Sequence, residues 1–125
     1  MLVQPVEDYI ETRGTNVPIK ALGKERKYEV IIESKSIFGR TSFCIIDDMF
    51  PNFPMEWPGK LFRTVDQRRD GWATSRHVPG FSGTVSCKVE LLRILKKDRG
   101  YFEHLVDGES EAVAKFKEIF PNKIG

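Results

Sequence analysis

Glu33 and Lys35 are the pair of residues whose types and spacing come nearest to a catalytic arrangement. They lie in the tripeptide Glu33-Ser34-Lys35, at the end of an alternating run. A carboxylate and a lysine at this spacing can hold a divalent metal and position a water for phosphodiester hydrolysis, provided that a second carboxylate reaches the ion. The candidate acids Asp47 and Asp48 follow the pair, whereas such nucleases place the first acid before it. A metal-dependent nuclease therefore stays a second alternative.

Other catalytic or metal-binding patterns are missing from the sequence. The two histidines, His77 and His104, and the two cysteines, Cys44 and Cys87, do not stand at metal-ligand spacing. Glycine-rich stretches match neither a P-loop nor a dinucleotide fingerprint. The sequence therefore predicts no metal and no cofactor. It favours binding over catalysis while leaving enzymatic activity open.

Basic residues with interspersed aromatic rings indicate one kind of partner. Residues 14–101 contain sixteen bases and ten acids, a net charge of +6, whereas residues 1–13 and 102–125 each carry −2. Cations that follow a phosphate backbone and rings that stack on bases are typical of proteins that bind single-stranded nucleic acid. Nucleic-acid binding is therefore the leading hypothesis, and its predicted residues are Lys27, Arg63, Arg68, Arg69, Trp72 and Arg76.

A proline-rich and aromatic segment at residues 49–58 suggests an alternative partner. Its three prolines pre-organise the backbone, and its large apolar side chains are of the types enriched at binding hot spots. The segment either covers one end of the sheet or binds a protein partner, and both roles stay open. The predicted protein-binding residues are Phe50, Phe53, Met55 and Trp57.

Hydrophobic periodicity predicts the elements that position these residues. Antiparallel pairing is expected because successive strands are joined by short turns, among them Asp70-Gly71 between two strands that form a hairpin. The predicted elements are a helix at 5–13, a hairpin at 27–47, strands at 60–66, 72–78 and 84–95, a possible sixth strand at 101–106, and a helix from Ser110 to Pro121.

The length and composition predict a single domain spanning residues 1–125. Hydrophobic residues make up 40% and charged residues 30% of the chain, and no apolar run is long enough to span a membrane. We expect a cytoplasmic protein with reduced cysteines and no membrane partner. The expected fold is α+β, with a strongly twisted antiparallel sheet or small partly open barrel of five to six strands and short helices at both ends. The sequence resembles no known family closely enough for functional residues to be transferred.

Overall fold

The computed structural model describes residues 1–13, 17–46 and 54–121, with the backbone alone for residues 10–13 and 17–21. Within these residues the strands β1 to β10 are, in chain order, Leu2–Pro5, Tyr9–Arg13, Val17–Leu22, Tyr28–Glu29, Ile32–Lys35, Thr41–Ile45, Met55–Pro58, Phe62–Asp66, Trp72–Ser75 and Thr84–Lys88. The helices α1 to α3 are Val89–Lys97, Tyr101–Val106 and Ser110–Ile119, and a 3-10 turn lies at Gly59–Leu61.

The strands form one large and two smaller antiparallel sheets. The five-stranded sheet has the order β7-β6-β5-β10-β9, the three-stranded sheet has the order β4-β1-β8, and β2 pairs with β3. These sheets stay separate and do not close into a barrel. Antiparallel sheets together with three short helices confirm the predicted α+β class.

The register of the five-stranded sheet creates two cores, one on each face. Ile32 pairs with Cys44, and both contribute to the core that the helices cover. Phe43 pairs with Trp57, and both contribute to a second core with Val3 of the three-stranded sheet. Because neighbouring residues of a strand point to opposite faces, the five-stranded sheet lies between a helical layer and the three-stranded sheet.

The helical layer is held by apolar side chains at helical spacing. Leu91 and Leu95 of α1 and Phe116 of α3 are buried in the first core. The buried hydroxyl of Tyr101 donates a hydrogen bond of 2.9 Å to the carbonyl of Ala112, which ties α2 to α3. Burial raises the pKa of Tyr101 to about 12, with Asp98 adding to the shift, so the hydroxyl remains a donor at neutral pH. The predicted C-terminal helix is confirmed.

The helix predicted at residues 5–13 is wrong. The chain forms β1 up to Pro5 and a second strand from Tyr9 to Arg13. Val3 and Pro5 alternate inward and pair with Thr64 and Phe62 of β8, while Val6, expected on the apolar face of a helix, is 53% exposed. A short run with helical spacing was outweighed by pairing with a strand far away in the sequence.

The strand predicted at 84–95 is wrong beyond residue 88. The strand predicted at 101–106 is wrong throughout. β10 ends at Lys88, and helix α1 begins at the next residue. The adjacent buried residues Leu91 and Leu92 lie on the buried face of this helix. Residues 101–106 form α2, in which Tyr101 and Leu105 are four residues apart and both buried.

The hairpin predicted from residues 60 to 78 does not form. Both strands exist, but β8 pairs with β1 in the smaller sheet, whereas β9 pairs with β10 in the larger one. Asp70-Gly71 does make a turn, with Gly71 at a φ of 74°, yet this turn carries the chain between sheets. The predicted hairpin at 27–47 is divided in a similar way: Tyr28–Glu29 pairs with β1, and β5 and β6 form the hairpin.

Candidate nucleic-acid interface

The arginines predicted to line one basic hairpin lie instead in separate environments. Arg63 lies on β8 and donates a hydrogen bond of 2.9 Å to the side-chain oxygen of Gln4. Arg68 donates to both carboxylate oxygens of Asp66, with a shortest contact of 2.7 Å. These bonds and the backbone N–H of Arg68 lower the pKa of Asp66 to about 2. The charge of Arg68 is thus matched by an acid two residues earlier.

Arg69 is engaged by the residue that the nuclease hypothesis needs. One of its terminal nitrogens lies 3.2 Å from both carboxylate oxygens of Glu33, and its guanidinium lies 5.9 Å from the ring centre of Trp72. Trp72 is half-buried, packing against the second core. The pair therefore occupies a polar part of the sheet face, beside the hydrogen-bonded hydroxyls of Thr74 and Ser86.

The described residues do not assemble the metal site that the nuclease alternative requires. Glu33 is bonded to Arg69, and within residues 1–13, 17–46 and 54–121 no three histidine, cysteine or acidic side chains are placed to hold a metal ion. Asp47 and Asp48 lie outside the described residues. Cys87 does not offer an alternative nucleophile, because burial raises the pKa of its thiol to about 12.

The proline-rich segment is described only from Pro54 onward. Phe50 and Phe53 lie outside the described residues. Met55 is half-buried against the second core, and Trp57 is 5% exposed within it. The indole of Trp57 therefore covers the sheet rather than offering a surface, and the ring of Tyr9 packs 6.5 Å from it.

One end of the five-stranded sheet gathers four cations that come from three separate parts of the chain. We call Lys35, Arg40, Lys60 and Arg76 the basic rim. Lys35 ends β5, Arg40 precedes β6, Lys60 follows β7, and Arg76 follows β9. The register places these strand ends together, because Lys35 pairs with both Thr41 and Thr84. All four side chains are exposed and make no ion pair with any described residue.

Two open clefts are each lined by two members of the basic rim, and a third, of about 350 Å³, lies between Lys35 and Arg40 and is also lined by Glu56. The first, of about 450 Å³, is lined by Lys35 and Arg76 with the hydroxyl residues Ser36, Ser82 and Thr84. The second, of about 640 Å³, lies between Arg40 and Lys60. Among the described residues, no acid lines the first or the second of these clefts. Cations with hydroxyl donors are the groups that proteins use to contact phosphate oxygens.

Gly83 lets the loop of residues 79–83 form the floor of the first cleft. A Cβ added at Gly83 would lie 1.9 Å from the carbonyl oxygen of Lys35. No other residue type fits at this approach, because the added carbon would meet backbone and not a flexible side chain. The absence of a side chain brings Ser82 and Thr84 up to the end of β5.

An exposed apolar turn protrudes from the basic rim. We call residues 36–40 the β5–β6 tip. Phe38 is 85% exposed and Ile37 is 70% exposed, the two highest values among the exposed large hydrophobic residues described. The tip is held from within: Ser36 accepts hydrogen bonds at its hydroxyl from the backbone N–H groups of Phe38 and Arg40, and Gly39 turns the chain at a φ of 81°.

Sequence reasoning identified Arg76 and Lys35 but not their relation to each other or to the tip. The available signal was local: Ile37 and Phe38 precede a turn glycine and stand between Lys35 and Arg40. Two large apolar residues at a hairpin turn are not required by strand alternation and so mark a surface. Lys60 carried no such signal, because its place depends on how β7 pairs.

The comparisons with known proteins provide no additional assignment. No protein-family model, curated protein or solved structure matches the chain. Among the described helices, none is long and apolar enough to cross a membrane. The interface is therefore argued from its own geometry and charge.

Proposed function

We propose that the protein binds nucleic acid through the basic end of its five-stranded sheet. One observation carries the proposal: the four cations of the basic rim line neighbouring clefts and make no ion pair with any described residue, and Glu56 is the one acid that lines the cleft between Lys35 and Arg40. Such an array attracts a polyanion, and its counterion release makes binding depend on salt. Hydroxyl groups beside Lys35 and Arg76 add donors for phosphate and sugar.

The proposal keeps the predicted partner but changes the residues that contact it. Arg76 remains from the predicted set, and Lys35, Arg40 and Lys60 replace Arg63, Arg68 and Arg69 as the main phosphate contacts. Arg68 and Arg69 already bind carboxylates, so a phosphate would have to compete with Asp66 and Glu33 for them. Lys27 is exposed but precedes β4, a strand of the smaller sheet.

A salt titration tests the proposal quantitatively. For a single strand, contacts from four cations give a slope of about −2.8 in log affinity against log salt, or a loss of about 50-fold between about 50 and 200 mM. The double variant R40Q/R76Q should halve the slope to about −1.4, a loss of about sevenfold. Fluorescence anisotropy with a labelled, mixed-sequence single-stranded DNA, and then RNA of the same sequence, measures both values.

The matched control is R63Q/R68Q, which removes the same charge from the region favoured by sequence alone. We expect its slope to equal that of the unchanged protein. A slope flattened in R63Q/R68Q but preserved in R40Q/R76Q would overturn the assignment to the sheet end. Binding that does not respond to salt would overturn nucleic-acid binding itself.

A further inference from the structure

The β5–β6 tip has a chemistry that the basic rim does not explain. Phosphate contacts need charge and hydroxyl donors, whereas Ile37 and Phe38 offer apolar surface to solvent. Burial in a fold is the usual role of such side chains, yet here both stand on the outermost turn of a hairpin. The turn therefore presents an apolar group next to a cationic surface.

The tip is pre-organised rather than loose. Ser36 donates its N–H to the carbonyl of Arg40 at 2.9 Å, and Gly39 donates its N–H to the carbonyl of Ser36 at the same distance. Together with the two bonds to the Ser36 hydroxyl, these contacts fix the backbone that carries Phe38. A backbone fixed in this way loses little conformational entropy when a ligand packs against the tip.

Charge complementarity identifies the occupant of this apolar surface. Lys35 and Arg40 flank the tip at its two ends, and the cleft next to Ile37 contains Lys35, Arg76 and hydroxyl groups without an acid. The ligand must therefore be an anion that also carries apolar faces. Nucleic acid combines both, since its phosphates suit the cleft and its bases stack on aromatic rings.

An anionic membrane fits these observations less well. Two side chains bury less apolar surface than one myristoyl chain, which by itself gives only marginal and reversible membrane binding. The hydroxyl-lined cleft beside the tip suits a discrete phosphate group better than a flat headgroup layer. A membrane is therefore treated as an outcome of the test.

We infer that Phe38 stacks on an unpaired base, so that the protein selects single-stranded over intact double-stranded nucleic acid. The inference rests on the proposed function and names its substrate class. An unpaired base offers its face at no cost, whereas a paired base must first be unstacked. Ile37 packs beside the base, and the basic rim holds the phosphates on either side.

The test compares variants of Phe38 on a single-stranded DNA and on the duplex of the same sequence. Loss of one stacked base lowers affinity by about five- to 150-fold, so F38A should weaken single-strand binding by this factor and leave duplex binding unchanged. F38W should restore the affinity, whereas F38L, which is apolar but has no ring, should not. V106A, which removes another exposed apolar side chain, is the matched control.

Each outcome separates the inference from the proposed function. If F38A binds the single strand as the unchanged protein does, with the same salt slope, stacking is overturned while the basic rim stands. If F38L restores binding fully, the contact is apolar but not a stack, and the inference fails. If the unchanged protein binds no oligonucleotide at low salt, the proposed function fails. If F38A instead abolishes sedimentation with phosphatidylserine-containing vesicles and leaves DNA binding intact, the occupant is a membrane.

Discussion

Substitution by Ala should lower the free energy of unfolding strongly at Trp57 and hardly at all at Phe38. Trp57, in the proline-rich segment, is 5% exposed, whereas Phe38 is 85% exposed. Replacing a buried Trp with Ala removes its transfer free energy and leaves a cavity, at a cost of about 3–5 kcal/mol. Replacing a side chain as exposed as that of Phe38 changes the free energy of unfolding by no more than about 0.5 kcal/mol.

The surroundings of Trp57 favour the upper part of that range. Its ring packs against Tyr9, and its backbone pairs with Phe43, whose own ring makes an edge contact of 5.8 Å with Phe62. These residues join β7 and β6 to the smaller sheet, so the cavity would open between two layers. Since a domain of this kind is stable by only about 5–15 kcal/mol, W57A should lose a large part of its stability.

Urea unfolding followed by circular dichroism measures both variants. With a slope of about 1–3 kcal/mol per molar urea, W57A should lower the midpoint by roughly 2 M. W57F retains a ring in the core and should fall between W57A and the unchanged protein. If W57A lost less than about 1 kcal/mol, the indole would not be core, and a binding role for segment 49–58 would gain support.

Two further predictions test local geometry. The pKa of Asp66 is lowered from 3.8 to about 2 by Arg68, so its contribution to stability is present above pH 3.8 and is lost as the pH falls through about 2. In R68Q the Asp66 pKa, measured by an NMR titration, should return toward 3.8. An unchanged value would contradict the assigned cause. G83A should lower the stability by about 1–3 kcal/mol, because its new carbon meets the Lys35 carbonyl. G100A, whose added carbon meets nothing nearer than 3.4 Å, should cost less in the same thermal melt.

Local pattern was sufficient where an element depends on its own sequence. The apolar stripe of Ala112, Phe116 and Phe120 predicted the last helix, and all three are buried. The turn at Gly39 and the turn at Gly71 were also indicated by local residues, and both glycines have positive φ. In these cases the signal and the structure that it specifies lie within a few residues of each other.

Such local signals did not predict which sheet each strand joins. A turn between β8 and β9 says that the chain reverses, but it does not say which strand each side pairs with. β8 pairs with β1, about sixty residues earlier in the chain, as in the register Pro5 with Phe62. Pairing across this distance depends on which faces become buried together, which is a property of the assembled layers.

The charged residues of the candidate site could not be predicted from local sequence for the same reason. Sequence density favoured Arg68 and Arg69, but Asp66 matches the first and Glu33, from a strand of the larger sheet, matches the second. A cation counts toward binding a polyanion only if the fold leaves it without an acid, and that depends on contacts between distant residues. Lys35 and Arg76 make no ion pair with any described residue, and they lie close together because β5 and β9 both flank β10.

The same reasoning separates the two apolar features of the chain. The proline-rich segment attracted attention because it carries many large side chains, yet the fold uses Trp57 in its second core. Phe38, by contrast, is 85% exposed and lies on a hydrogen-bonded turn between Lys35 and Arg40. The hydrogen bonds of the turn involve the Ser36 side chain and the backbone, so they do not depend on an aromatic ring at residue 38. Its proposed role is to contact the nucleic acid that we propose the basic end of the sheet binds.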